Sequence, residues 1–448
     1  MSDADAISPQ GRLAHVLSTR GAKAAAGPER PMVIEHREAL IYTLGKAAEL
    51  EHLVMCQYLY AAFSLKESAA EGVPEDLLPT VKRWRRELLE IGEQEMLHLA
   101  LVQNLLAAVG AAPRLAHPNF PLPPNAYPAG VQIALLPFGE PALRHFAFLD
   151  RPEGMEMTDA DGFAALAKAT ELPRRAEDEI GPHLQDFATI GHLYRSIEGG
   201  LASLAERLGQ ERLFIGPARA QATEEHFRWP ELVAVGDVSS ARAAIDTIVE
   251  QGEGARGEWQ EAHFGRLIRM LDDYLVMREA HPGFEPTRPV ALAHVRTPAS
   301  GAEATVIVDA FTARCMDLLN AVYEVLLQML SRYFANTDES PDQLATLADV
   351  SVGLMYAAVK PLGGLVTRLP IGPEQPGQTA GWAFELFYDA DYLLPHRDAA
   401  WTLMEERLRE IAELATRCRD ACIPQFLPPL ARVTDALRAQ ADRLAAAR

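Results

Sequence analysis

The chain has 448 residues, 48% of them apolar and 23% charged, with a formal charge of −20. That size allows two or three domains and a substantial core. The acidic balance argues against a general nucleic-acid binder, which needs basic surface to displace counterions from phosphate. Four scattered cysteines do not make a secreted disulfide framework, and Cys418 and Cys422, one helical turn apart, read as ordinary thiols. The first residues carry acids and no apolar stretch of a signal peptide, and no apolar run approaches the ~18 residues of a membrane span. The expectation is a cytoplasmic protein without membrane contact.

In chain order, residues 1–31 are small and polar, a flexible arm ending at Pro31. The pattern predicts a first long helix over residues 32–67 and a second from Pro74 or Glu75 to Val109, closed by Gly110. Prolines then break the helix through APRLAHPNFPLPPNAYPAGVQIALLPFG, with VQIALLPF as a short extended piece. Short helices follow in ALRHFAFLD and in TDADGFAALAKATEL, the latter with Thr158 or Asp159 as its cap. A third long helix is expected over residues 182–208. A fourth runs from Ser239 or Ser240 to about Arg278, weakened in its middle by the glycines of QGEGARGEW. Helix pair, long crossover, helix pair is the connectivity of a ferritin-like bundle, so the expected fold is an all-α four-helix bundle over residues 32–285. HPGFEPTRPVALAHVRTPASGAEA reads as a linker. Residues 286–448 then form a second helical region, with helices near 304–335, 341–361, 394–424 and 427–447 around a Pro/Gly-rich loop.

Polar residues on otherwise apolar stripes point to chemistry. In the second helix the stripe Trp84, Leu88, Ile91, Val102, Leu105, Val109 also contains Glu95 and His98. Residues three apart share a helix face, and an unpaired acid on a buried face is costly. An inward-facing Glu-x-x-His is the repeating unit of carboxylate-bound metal pairs in such bundles. The first helix places Glu51 at mid-length on Leu40, Leu44, Ala47, Met55, Tyr58 and Ala62. Carboxylate and imidazole donors suit iron, manganese or zinc. The competing reading is a buried polar network with His98 bonded to Glu51. His52 points about 100° off the seam and reads as a supporting or surface histidine.

The other helix pair is less regular. Glu198 flanks the stripe Ile190, Tyr194, Ile197, Leu201, about 80° from its centre; a solvated flank is an equal alternative. His263 lies on the stripe Leu267, Met270, Tyr274, but the position three before it is Gln260. Glu253 would sit about 15 Å away on an unbroken helix. It joins the site only if Gly252, Gly254 and Gly257 break the helix and fold it back.

The segments ELEHLVMCQYLYAAFSL, EQEMLHLALVQNLLAAVGAAPRL, HPNFP with LPFG, TIGHLYRSI, and IVEQGEG followed by AHF resemble the iminophenyl-pyruvate dimer synthases. That family couples two aryl-pyruvate imines in pigment and alkaloid biosynthesis. The resemblance implies a ferritin-like fold and one or two non-haem iron ions held by Glu51, Glu95, His98, Glu253 and His263. Two positions depart from the family pattern, His192 and Gln260, where acids are frequent. The implied activity is oxidation of a small aromatic amino-acid-derived substrate by O₂ or peroxide, with Glu95 bridging two metals. A non-catalytic iron binder and a scaffold with a degenerate site are the alternatives. The expected assembly is a monomer or small homo-oligomer.

Overall fold

A computed structural model describes residues 32–123, 126–128, 131–155, 157–160, 163, 187–254, 258–298, 304–335, 338–387 and 396–448. The arm at 1–31, most of TDADGFAALAKATEL, the first turns expected for the third long helix, and Gly257 lie outside them.

The first two helices, α1 (Arg37–Ser64) and α2 (Leu78–Ala108), pack along each other as an antiparallel pair. From Ala47 to Ser64, α1 is buried nearly all round, as expected of a helix enclosed on every side rather than one with a solvent face. α2 keeps an exposed face in its first half and loses it from Leu97 onward. The crossover carries α3 (Glu140–Leu149), which packs on α6. VQIALLPF within it forms no regular strand.

The second pair is α4 (Ile190–Leu208) and the broken helix α5 (Val238–Gly252) plus α6 (His263–Ala280). Thr189 caps α4 by accepting from the His192 backbone N–H. Asp237 and Ser240 form a reciprocal capping box on α5, satisfying donors that the first turn leaves unpaired. The break falls at the glycines. Gly254 has φ +90°, and a Cβ there would lie 2.5 Å from Trp259 Cα, so both the backbone angle and the close approach require glycine.

The segment read as a linker is more ordered than expected. It contains β1 (Val290–His294), which pairs in parallel with β2 (Thr305–Val306) and β3 (Thr379–Trp382) in a sheet of order β2-β1-β3. Arg288 straps its start to α1: the backbone N–H bonds Ser64 O at 2.8 Å and Nη1 bonds Phe63 O at 2.9 Å. Beyond it lie α7 (Ala310–Ala335), α8 (Pro341–Leu354), α9 (Lys360–Val366), α10 (Arg397–Ala421) and α11 (Leu427–Ala447). A π-helical stretch, Met355–Val359, joins α8 to α9. The molecule is thus mostly helical, and one contiguous apolar core runs from Met32 to Leu444. Among the described residues no helix is long and apolar enough to cross a membrane.

Candidate metal centre

Five acid and imidazole side chains from four elements meet inside the bundle, all buried: Glu51 on α1, Glu95 and His98 on α2, Asp150 at the C-cap of α3, and His263 at the first position of α6. They fall into two overlapping groups, Glu51–Glu95–His98 and Glu95–Asp150–His263, with Glu95 common to both. Its two oxygens face different partners: Oε2 lies 2.9 Å from His98 Nδ1 and Oε1 lies 3.1 Å from His263 Nδ1. Glu51 Oε2 is 3.4 Å from His98 Nδ1, and Asp150 Oδ2 is 3.7 Å from His263 Nδ1.

Both imidazoles are held in the same way. His98 Nε2 donates to Gln251 Oε1 at 3.0 Å, and His263 Nε2 donates to Gln94 Oε1 at 3.1 Å. Arg266 also donates to that Gln94 oxygen, at 3.0 Å, which fixes the amide's orientation. With Nε2 carrying a hydrogen, each Nδ1 faces the carboxylates, the arrangement that orients histidine ligands in metal sites. Tyr58 donates to Asp150 and Tyr194 to Glu51. Burial first, and the neighbouring acids second, push both phenols well above their usual range, so they remain donors.

The ferritin-like family model matches residues 44–272, 229 of the 448 residues. The chain belongs to the ferritin-like family. It is 28% identical over 423 residues to a dichlorochromopyrrolate synthase from Lentzea aerocolonigenes, covering 86% of this chain and 39% of that protein. It is 28% identical over 397 residues to a 2-imino-3-(indol-3-yl)propanoate dimerase from Chromobacterium violaceum, covering 82% and 36%. These matches bear out the resemblance to the iminophenyl-pyruvate dimer synthases, and the chain spans well under half the length of either relative. A solved ferritin-like protein from Caulobacter vibrioides is 20% identical, with a TM-score of 0.42, over 69% of this chain and 92% of that one.

The donor set of this ferritin-like chain fits a bound cation. Without one, burial raises Glu51 to about 7, with Glu95 adding to the rise, and holds Asp150 well above the usual carboxylate range. Burial also opposes charge on Glu95, but His98 and His263 hold its carboxyl down. His98 is raised to about 10 by Glu95 and Glu51 against its own burial, while burial lowers His263. The cluster therefore relieves its own repulsion by keeping protons on Glu51, Asp150 and His98, the positions a divalent cation would take over. The Nδ1 of His263 is buried and makes no hydrogen bond despite its closeness to Glu95, leaving a lone pair aimed into the cluster.

Four of the six residues expected from the sequence converge here: Glu51, Glu95, His98 and His263. Two stand outside both groups. Glu198 is ion-paired with the exposed Arg242 on the flank of α4 and α5. Glu253 caps the C-terminus of α5, just before the glycine break, and its carboxylate meets other partners: its Oε2 accepts the Glu153 backbone N–H at 3.0 Å and its Oε1 lies 3.4 Å from Arg195 Nη1. A Cβ on Gly191 would lie 2.3 Å from that carboxylate, so glycine makes room for it. Gln260 lies in a bend before α6 begins, so the three-residue helical spacing from His263 does not operate. The acid beside His263 comes instead from Asp150 in the crossover, which the sequence reading missed. His52 is buried rather than superficial and faces away from the carboxylates, toward Leu115 and Tyr323.

A cavity of about 490 Å³ lies between the first helix pair and the C-terminal helices, lined among others by Met55, Leu59, Phe63, Met96, Leu330 and Trp382. None of the five cluster residues lines it.

Proposed function

We propose that the chain is a metal-dependent oxidative coupling enzyme acting on a small, imine-bearing acid derived from an aromatic amino acid, with non-haem iron held by Glu51, Glu95, His98, Asp150 and His263. The reading rests on Glu95, whose two oxygens serve two separate imidazole–carboxylate groups. That is the arrangement expected of a carboxylate bridging two ions. The names of the two curated relatives support the substrate class.

Bound iron supplies the one-electron redox chemistry that coupling needs. The chain's own residues hold the ligands: Gln251 and Gln94 fix the imidazoles, while Tyr194 and Tyr58 orient Glu51 and Asp150. In the overall reaction two enamine tautomers each lose one C–H hydrogen and one C–C bond forms. The two electrons and two protons released reduce one hydrogen peroxide to two waters. Tyr58 and Tyr194, which burial keeps protonated, are the hydroxyl donors held against Asp150 and Glu51.

The test generates an aryl iminopropanoate and peroxide in place, with an L-amino-acid oxidase, and follows products by mass. The expected product has twice the imine mass less two hydrogens, and E95Q abolishes it. Hydrolysis of the imine to the keto acid at the same rate with and without the protein, and no dimer, would count against the reading.

A further inference from the structure

A second cluster of donors lies on a different face of α1 from Glu51. His52 and Cys56, one turn apart on α1, meet His117 from the crossover; all three are buried, with donor atoms within 4.8 Å of one another. His52 Nδ1 donates to Leu115 O at 2.8 Å, and His117 Nδ1 donates to Pro118 O at 2.9 Å. A carbonyl has no hydrogen to give, so each Nδ1 carries the proton and each Nε2 presents a lone pair.

Both lone pairs converge on one atom. The Tyr323 hydroxyl is in short contact with His52 Nε2 and 3.2 Å from His117 Nε2. A hydroxyl has a single hydrogen and can satisfy only one of them. The other faces oxygen lone pairs, and a buried acceptor without a donor is costly. Protonating a ring fully would remove the conflict, but at the cost of a cation in apolar surroundings. The Cys56 thiol, 3.7 Å from the same hydroxyl, brings a third donor to the same point.

We propose that His52, Cys56 and His117 form a second metal site, separate from the carboxylate centre and suited to zinc, with the Tyr323 hydroxyl as fourth donor. Two imidazoles and a thiolate select a borderline-soft divalent ion over the harder ions that carboxylates favour. Both Nδ1–H groups are already anchored on carbonyls, the support that histidine ligands need. Binding releases the thiol proton to solvent and involves no electron transfer. His52 and Tyr323 also line the 490 Å³ cavity, which gives the ion an approach from solvent.

The test strips the 448-residue chain with a chelator and titrates it with cobalt(II) alone, reading the thiolate-to-cobalt charge-transfer band in the near ultraviolet. The band should saturate at one equivalent in E95Q, in which the carboxylate centre is disabled, and reach the same intensity in the unsubstituted protein, whose carboxylate centre also takes up cobalt. It should vanish in C56S, and cobalt affinity should fall at least about tenfold in H117Q, with circular dichroism checking that both variants fold. Zinc should displace the cobalt and erase the band. Absence of the band in the unsubstituted protein overturns the proposal without recourse to any variant. A band that survives in C56S assigns it to the other cysteines and overturns it equally.

Discussion

Replacing Glu253 with glutamine separates a metal ligand from a brace. The carboxylate accepts the Glu153 backbone N–H at 3.0 Å and faces Arg195 at 3.4 Å. A hydrogen bond to a charged group contributes about 1.5–3 kcal/mol. Glutamine can still accept from the Glu153 N–H through its amide oxygen. Arg195 is one-third exposed and keeps its pair with Glu153, so the lost charge counts for less than a fully buried one. The expected destabilisation is about 1 kcal/mol by this reckoning, read as a shift in the urea midpoint at unchanged slope. Bound metal, measured by elemental analysis on the same sample, should not change. Loss of metal from a protein of unaltered stability would make Glu253 a ligand after all.

Glu339→Ala removes the buried carboxylate that pairs with the fully buried Arg332 guanidinium and an acceptor from Trp401, so urea unfolding should report a loss of about 3 kcal/mol; a change within about 0.5 kcal/mol, the size of an ordinary surface substitution, would contradict this. Gly254→Ala forces a Cβ against Trp259 at a positive φ, and should cost at least about 1 kcal/mol by thermal or urea denaturation while weakening metal binding by displacing His263. Unchanged stability would show that the turn tolerates a side chain. Burial works against charge on Glu71, but its bonds to Arg288 hold its carboxyl below the usual range. Its folded value therefore lies below its unfolded value: the stability it contributes is present at neutral pH and is lost as pH falls through the folded value. Arg288→Gln should flatten that part of the acid-unfolding curve relative to the unsubstituted protein, and parallel curves would contradict it.

The residues legible in the sequence were those on regular helices. Glu51, Glu95, His98 and His263 each interrupt an apolar stripe, and helical periodicity alone points them inward. Asp150 carried no such signal. It caps a ten-residue helix in a proline-rich crossover, and only the packing of that helix on α6 brings it to His263. Glu253 illustrates the reverse case, because the glycine break was readable, but Glu253 stays on the helical line before it and its side-chain partners were not readable. His52 looked peripheral because a stripe analysis assumes that one helix face meets solvent, whereas α1 is enclosed by the bundle on one side and by α9 and β3 on another. The strand inside the apparent linker escaped notice because five residues of VALAH are too short to outweigh the flanking prolines, and its partners lie up to ninety residues away.

Diffraction data collected at the iron absorption edge, from crystals of the protein loaded with ferrous iron without oxygen, would locate the metal of the carboxylate cluster. Two anomalous peaks are expected flanking the Glu95 carboxylate, one against Glu51 and His98 and the other against Asp150 and His263. A map with no peak beside Glu95 in a protein shown to be exposed to iron would contradict this expectation.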